Sequence, residues 1–142
     1  MNDVTSTLTM LDEVANHLEF LGYRLEKTQV AGTLDLVSAK HDQKANVLMR
    51  PSAGGILVSA PFSTKVTDET WNEFLGFLND VNQVLSVGKI YFIKTESGRS
   101  VIVEAWYQGP YSKVEFGRFM SLFEQSVISL SLRFPDQVKK FL

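Results

Sequence analysis

The chain has 142 residues, 44% of them hydrophobic and 21% charged, a size and composition that specify one folded domain over residues 1–142 rather than a disordered segment. Fourteen Lys and Arg against sixteen Asp and Glu leave a net charge of −2, which argues against a broad basic face for nucleic acid. With no cysteine in the chain, disulfides, thiolate metal sites and a cysteine nucleophile are excluded, and no apolar run approaches the roughly 20 residues of a membrane-spanning helix.

The N-terminal Met1-Asn2-Asp3-Val4 lacks the basic-then-apolar layout of a secretory signal, so the expected location is the cytoplasm. From about Thr5 to Leu21, Leu8, Leu11, Val14 with Ala15, Leu18 and Leu21 recur at steps of three and four, which predicts an amphipathic helix. Gly22 follows as a C′ stop.

From Tyr23 to Phe62 the period changes to two. Leu34, Leu36 and Ser38 alternate with Thr33, Asp35 and Val37, and the runs Ala45–Met49 and Ile56–Ala60 follow. The polar tip His41-Asp42-Gln43-Lys44 and the stretch Pro51-Ser52-Ala53-Gly54-Gly55 separate them. The pattern predicts three short antiparallel strands joined by hairpin turns. Arg24–Val30 carries only a weak extended signature.

A second helix is expected from Thr67, as N-cap, to Leu85, with Asp68 and Glu69 in its first turn. Trp71, Phe74, Leu75, Phe77, Leu78 and Val81, with Val84 and Leu85, fill an arc of about 180°, wider than the stripe of about 100° that one-sided contact requires. So broad an arc calls for a second partner, either elsewhere in the fold or on another subunit.

Gly88 breaks that helix. Lys89–Lys94 and Val101–Tyr107 then predict a hairpin turned by Glu96-Ser97-Gly98-Arg99. Both strands are apolar at nearly every residue, which predicts a sheet covered on both faces there. The last helix opens on the capping box Ser112-x-x-Glu115, with Tyr111 and Phe116 placed as a hydrophobic staple. Its stripe is Phe116, Phe119, Met120, Phe123, Val127, Leu130 and Phe134, and Pro135 ends it. Gly117 inside this helix predicts a close contact with the sheet. The expected order is α-β-β-β-α-β-β-α, a single α+β domain with an antiparallel sheet.

Chemistry-bearing groups are sparse. The two histidines, His17 at the polar edge of the first helix and His41 in a turn, are expected to be exposed, and no zinc-binding spacing occurs. Gly54-Gly55 has no Gly-Lys-Ser/Thr after it and reads as a tight turn rather than a phosphate loop. Glu104 is the one carboxylate in a strongly apolar strand, sharing a face with Ile102 and Trp106. It is either a cross-strand partner of Lys89, Lys94 or Arg99, the favoured reading, or an acid in a pocket beside Trp106. Tyr91, Phe92, Trp106 and Tyr107 resemble an RNA-stacking platform, but the acidic composition lacks the positive groove this requires.

The stretch from Ala60-Pro61 to Tyr107 resembles the YbjN family, bacterial proteins described as sensory transduction regulators. The residues that carry the resemblance are Phe74-Leu75-Gly76-Phe77-Leu78-Asn79-Asp80-Val81-Asn82, then Gly88-Lys89-Ile90-Tyr91-Phe92 and the glycine-turned hairpin. The resemblance implies a fold similar to type III secretion chaperones, which hold client polypeptides mostly as homodimers. It implies no cofactor and no catalytic residue, and with two histidines in the chain no metal site is expected. On this basis the expected function is a non-enzymatic binding module, a chaperone or regulator that forms a homodimer and engages another polypeptide, with neither nucleic acid nor membrane as partner. Trp71, Phe74, Leu75, Phe77, Leu78 and Val81 are the expected interface. Asn82 is expected to cap the helix end or to bond the backbone near Gly88. The alternative is an enzyme or small-molecule binder with a pocket near Glu104 and Trp106.

Overall fold

A computed structural model describes residues 9–142. In chain order the elements are α1 (Met10–Phe20), β1 (Arg24–Val30), β2 (Thr33–Lys40), β3 (Val47–Ser52), β4 (Gly55–Ser63), α2 (Trp71–Val84), β5 (Lys89–Thr95), β6 (Gly98–Gln108), α3 (Lys113–Arg133) and α4 (Pro135–Phe141). The strands form one sheet in the order β1-β2-β3-β4-β6-β5, every neighbouring pair antiparallel. This is the expected α+β arrangement, with the weakly patterned Arg24–Val30 as a further strand and a short helix after Pro135.

Within the described residues α1 starts later than its periodicity suggested. Thr9 is its N-cap, with a complete capping box: the Thr9 hydroxyl accepts from the Asp12 N–H, and the Asp12 carboxylate accepts from the Thr9 N–H. The Thr5–Leu8 part of the expected helix lies outside the described residues. Leu11, Val14, Ala15 and Leu18 are buried against the sheet, and Gly22, at φ +99°, ends the helix in the left-handed region.

Two hairpins close on two-residue turns with both central residues at positive φ, Ala31-Gly32 and Ala53-Gly54, the geometry whose twist matches that of antiparallel strands. Gly54-Gly55 is thus a turn followed by the first residue of β4. The alternation expected along β2 does not hold throughout. Thr28 pairs with Leu36 and Gln29 with Leu34, so Asp35 is an extra residue in the ladder. This bulge reverses the faces: Leu34 is buried before it, and Val37 and Ala39 after it, while Leu36 and Ser38 turn to the opposite side.

The helices occupy one face of the sheet. Val37, Met49, Val58 and Ala105 form one row across it, continuous with Ala39 and Val47, and with Ala60, Val103 and Ile90. All join the helical residues in one apolar core. The staple at α3 forms as expected, with the Tyr111 and Phe116 rings 6.1 Å apart. Ser112 caps the Glu115 N–H. Gly117 does not meet the sheet: a Cβ there would touch the His17 ring of α1 at ordinary contact distance, 3.6 Å.

α2 begins at Trp71 with Thr70 as its N-cap, three residues after the expected cap Thr67, because Thr67–Thr70 form a separate turn. The Thr70 N–H donates to the Thr67 carbonyl, and the two hydroxyls lie 3.1 Å apart. Asp68 and Glu69 therefore sit in that turn, and Glu73 is the acid of the first helical turn. The broad apolar arc of α2 meets its second partner within the chain. Phe74 packs its ring 5.3 Å from Phe141 and 5.9 Å from Phe92, and Phe77 lies 5.9 Å from Phe134 and 5.8 Å from Phe141. Pro135 ends α3 as expected, yet it also opens α4, since its fixed φ suits the first helical position. That short helix returns Phe141 beneath α2.

His17 is buried, not exposed as its position on the helical wheel suggested. The loop after β6 closes over it: Nδ1 lies 2.8 Å from the Tyr111 hydroxyl, and the Phe116 ring packs edge-on at 5.1 Å. Burial, then the nearby Lys113 charge, holds its pKa below the ordinary 6.5. The folded state thus favours neutral imidazole, and the unfolded chain takes up the proton more readily as pH falls through about 6.5. The melting temperature is expected to fall from about pH 7 to about pH 5, and His17→Leu should flatten that segment of the profile. An unchanged slope in the variant would assign the acid sensitivity to other groups.

Candidate functional site

Opposite the helices, the second face of the sheet carries no helical layer among the described residues. Side-chain alternation and register place three rows across it. Arg50, Leu57 and Trp106 form one row; Leu48, Ser59, Glu104 and Lys89 form the next; Pro61, Ile102 and Tyr91 form the third. Among the described residues no helix covers this face at β5 and β6, where the apolar reading of those strands expected cover on both sides. Ile102 and Glu104 are nonetheless buried, at 8% and 7% exposure, whereas Trp106 is 43% exposed.

Glu104 is the centre of this face. One of its carboxylate oxygens, Oε2, accepts from the Ser59 hydroxyl and from the Tyr91 hydroxyl, each at 2.9 Å. The expected basic partner is replaced by these two hydroxyls. Lys89 is its register neighbour but places its ammonium over the Tyr91 ring, 5.4 Å from the centroid. Lys94 and Arg99 pair with each other on the helix side. Burial first, then the hydrogen bond to Glu104 and its charge, raises the Tyr91 pKa above the ordinary value. Trp106 is fixed by its indole N–H, which donates to the Ser52 carbonyl at 2.8 Å. The result is a surface of Leu36, Leu48, Leu57, Ile93 and Trp106 around a buried, hydroxyl-bound carboxylate.

Of the six residues expected to form an interface, Phe74, Phe77, Leu78 and Val81 are buried within this chain, with Phe74 and Phe77 against Phe141 of α4. Trp71 is half-buried beside Phe92, and Leu75 is exposed. Asn82 takes the role expected of it. Its amide donates to the Ile90 carbonyl at 3.0 Å and accepts from the Ile90 N–H at 2.8 Å, occupying one free slot of the edge strand β5.

Among the described residues, no three His, Asp or Glu side chains converge as metal ligands would, and no helix is long and apolar enough to cross a membrane. The open-face residues were legible in part, since Glu104, Ile102 and Trp106 share a strand face in the sequence. Their partners Ser59 and Tyr91 were not, because each comes from a different strand and only the register brings them within hydrogen-bond distance.

A six-stranded antiparallel sheet, layered by helices on one side and, among the described residues, open on the other, defines an α+β protein. The solved structure of YbjN from E. coli, described there as a proposed transcription regulator, has this fold: the TM-score is 0.69 over 96% of this chain and 99% of that one, at 13% sequence identity. No family model matches the chain. No curated protein matches it in sequence.

Proposed function

We propose that the chain is a non-enzymatic protein-binding module, a regulator or chaperone that forms a homodimer and engages another polypeptide through the open face of its sheet. The observation that carries this reading is that face itself. Leu48, Leu57 and Trp106 remain partly in solvent where a monomer would ordinarily place polar residues on the outer side of an antiparallel sheet. The YbjN-like fold is in keeping with a regulatory role, and the hydroxyl-bound Glu104 would orient the surface around it.

Light scattering on the purified chain should then give a dimer, and capture from the native host should retain one reproducible, near-stoichiometric partner. Leu57→Asp places a charge at the middle of the face and should weaken self-association or capture at least about tenfold while the circular dichroism spectrum stays native. A folded Leu57→Asp chain with both properties unchanged would remove this face as the binding surface.

A further inference from the structure

We propose a second, separate binding site, for a small aromatic carboxylate, where the end of the β5–β6 hairpin meets the start of α2. A concavity of about 320 Å³ there is lined by Asp68, Trp71, Phe92, Lys94 and Arg99. Its volume falls at the small end of ordinary ligand sites, enough for a one- or two-ring molecule. Trp71 and Phe92, both half-buried, meet edge to face with centroids 5.1 Å apart and form an aromatic wall. Such a wall offers a flat ring a stacking or edge contact.

The charges around this wall are unbalanced. Lys94 and Arg99 sit directly opposite one another in the strand register, an arrangement that costs stability for like charges. Arg99 donates to the Val66 carbonyl at 3.3 Å and reaches Asp68 only at 3.4 Å, longer than a strong charge-assisted bond. The Asp68 side chain is 96% exposed, so water screens that pair. Among the described residues Lys94 has no ion-pair partner. Two cations against one weakly held carboxylate leave a single positive charge over an aromatic wall. Trp71 is also the first residue of α2, whose N-cap Thr70 makes no side-chain capping bond, so the positive end of that helix adds to the same field. A singly charged acid on a flat ring matches both features: the ring lies against Trp71 and Phe92 while the carboxylate bridges Lys94 and Arg99. The site is on the helix side of the sheet, so it stands or falls independently of the open face.

The chain has two tryptophans, and each gives its own indole N–H signal in a nitrogen-15 NMR spectrum of the full chain. With indole-3-acetate as probe, the Trp71 signal should move saturably with a Kd of about 1 mM or tighter, and the Trp106 signal, across the sheet, should stay in place. Indole-3-ethanol, which keeps the ring without the charge, and acetate, which keeps the charge without the ring, should each bind at least about tenfold more weakly. Lys94 is exposed, so Lys94→Glu should keep a native spectrum and lose at least about tenfold in affinity for indole-3-acetate. A Trp71 signal unmoved at about 10 mM probe, both indoles shifting alike, or unchanged affinity in Lys94→Glu would each overturn the assignment.

Discussion

Phe74→Ala is expected to cost about 3–5 kcal/mol, lowering the melting temperature by roughly 10 °C or more. Phe74 is fully buried and joins four aromatic rings from three parts of the chain: Trp71 and Phe77 on its own helix, Phe92 on β5 and Phe141 on α4. Truncation removes the common partner of this cluster, and the cavity cannot close without moving α2, β5 or α4. Phe74→Asp is harsher, because it buries a charge with no partner, and should give an unfolded or aggregated chain. Thermal melting of the first variant and the circular dichroism spectrum of the second measure both outcomes. A soluble, folded Phe74→Asp monomer would return this side chain to a subunit interface and contradict its place in the core.

The two possible partners for the broad arc of α2, another part of the fold or another subunit, could not be separated by the wheel, which reports the width of an apolar surface and not its occupant. The occupant was hidden because Pro135 marks a helix end in sequence, although the same fixed φ that ends α3 also starts α4. Periodicity located α1, α2, α3 and the β5–β6 hairpin because one side of each is pressed into the core and the residue types follow. β1 gave little signal for the opposite reason. It is an edge strand whose residues are exposed on both faces except for the half-buried Leu25, so selection for burial left no alternation. In β2 the alternation is real on each side of Asp35, but the bulge changes its phase, and one extra residue is invisible to a period-two reading.

The sites were harder to read than the elements. Apolar residues on both faces of β6 suggested a second covering layer, yet among the described residues the Glu104 carboxylate is held by the Ser59 and Tyr91 hydroxyls of the two flanking strands rather than by a helix. His17 shows the same limit: its neighbours along α1 place it at the polar boundary, and Tyr111, Phe116 and Gly117, about a hundred residues away, close over it. The opposition of Lys94 and Arg99 follows from the length of the Glu96-Ser97 turn. With the turn assigned as Glu96–Arg99, Arg99 falls outside the strand and the pairing disappears.

Gly88→Ala is expected to destabilise the chain by about 2–4 kcal/mol, although the position is at the surface end of β5. Gly88 has φ +89°, a conformation that costs other residues roughly 1–2 kcal/mol. A Cβ would also run into the Glu104 carbonyl, with the carbonyl carbon at 3.0 Å and the Ala105 Cβ at 3.2 Å. Those atoms belong to a central strand, so relief must come from β5. Gly54 isolates the two contributions: it has φ +81° and nothing within 4 Å of the point a Cβ would occupy, so Gly54→Ala should carry only the conformational cost of roughly 1–2 kcal/mol. The same displacement reaches the open face, because Lys89 is the register neighbour of Glu104 and Tyr91 hydrogen-bonds the Glu104 carboxylate. Loosening that bond takes away part of what raises the Tyr91 pKa, so the phenol of Gly88→Ala should titrate closer to its ordinary value than in the parent chain. Chemical denaturation of the two glycine variants, with ultraviolet pH titrations in which the Tyr91 phenol is isolated as the difference from Tyr91→Phe, tests both steps. Equal costs for Gly54→Ala and Gly88→Ala would show that β5 yields freely and that the Glu104 network is not held by the close approach at Gly88.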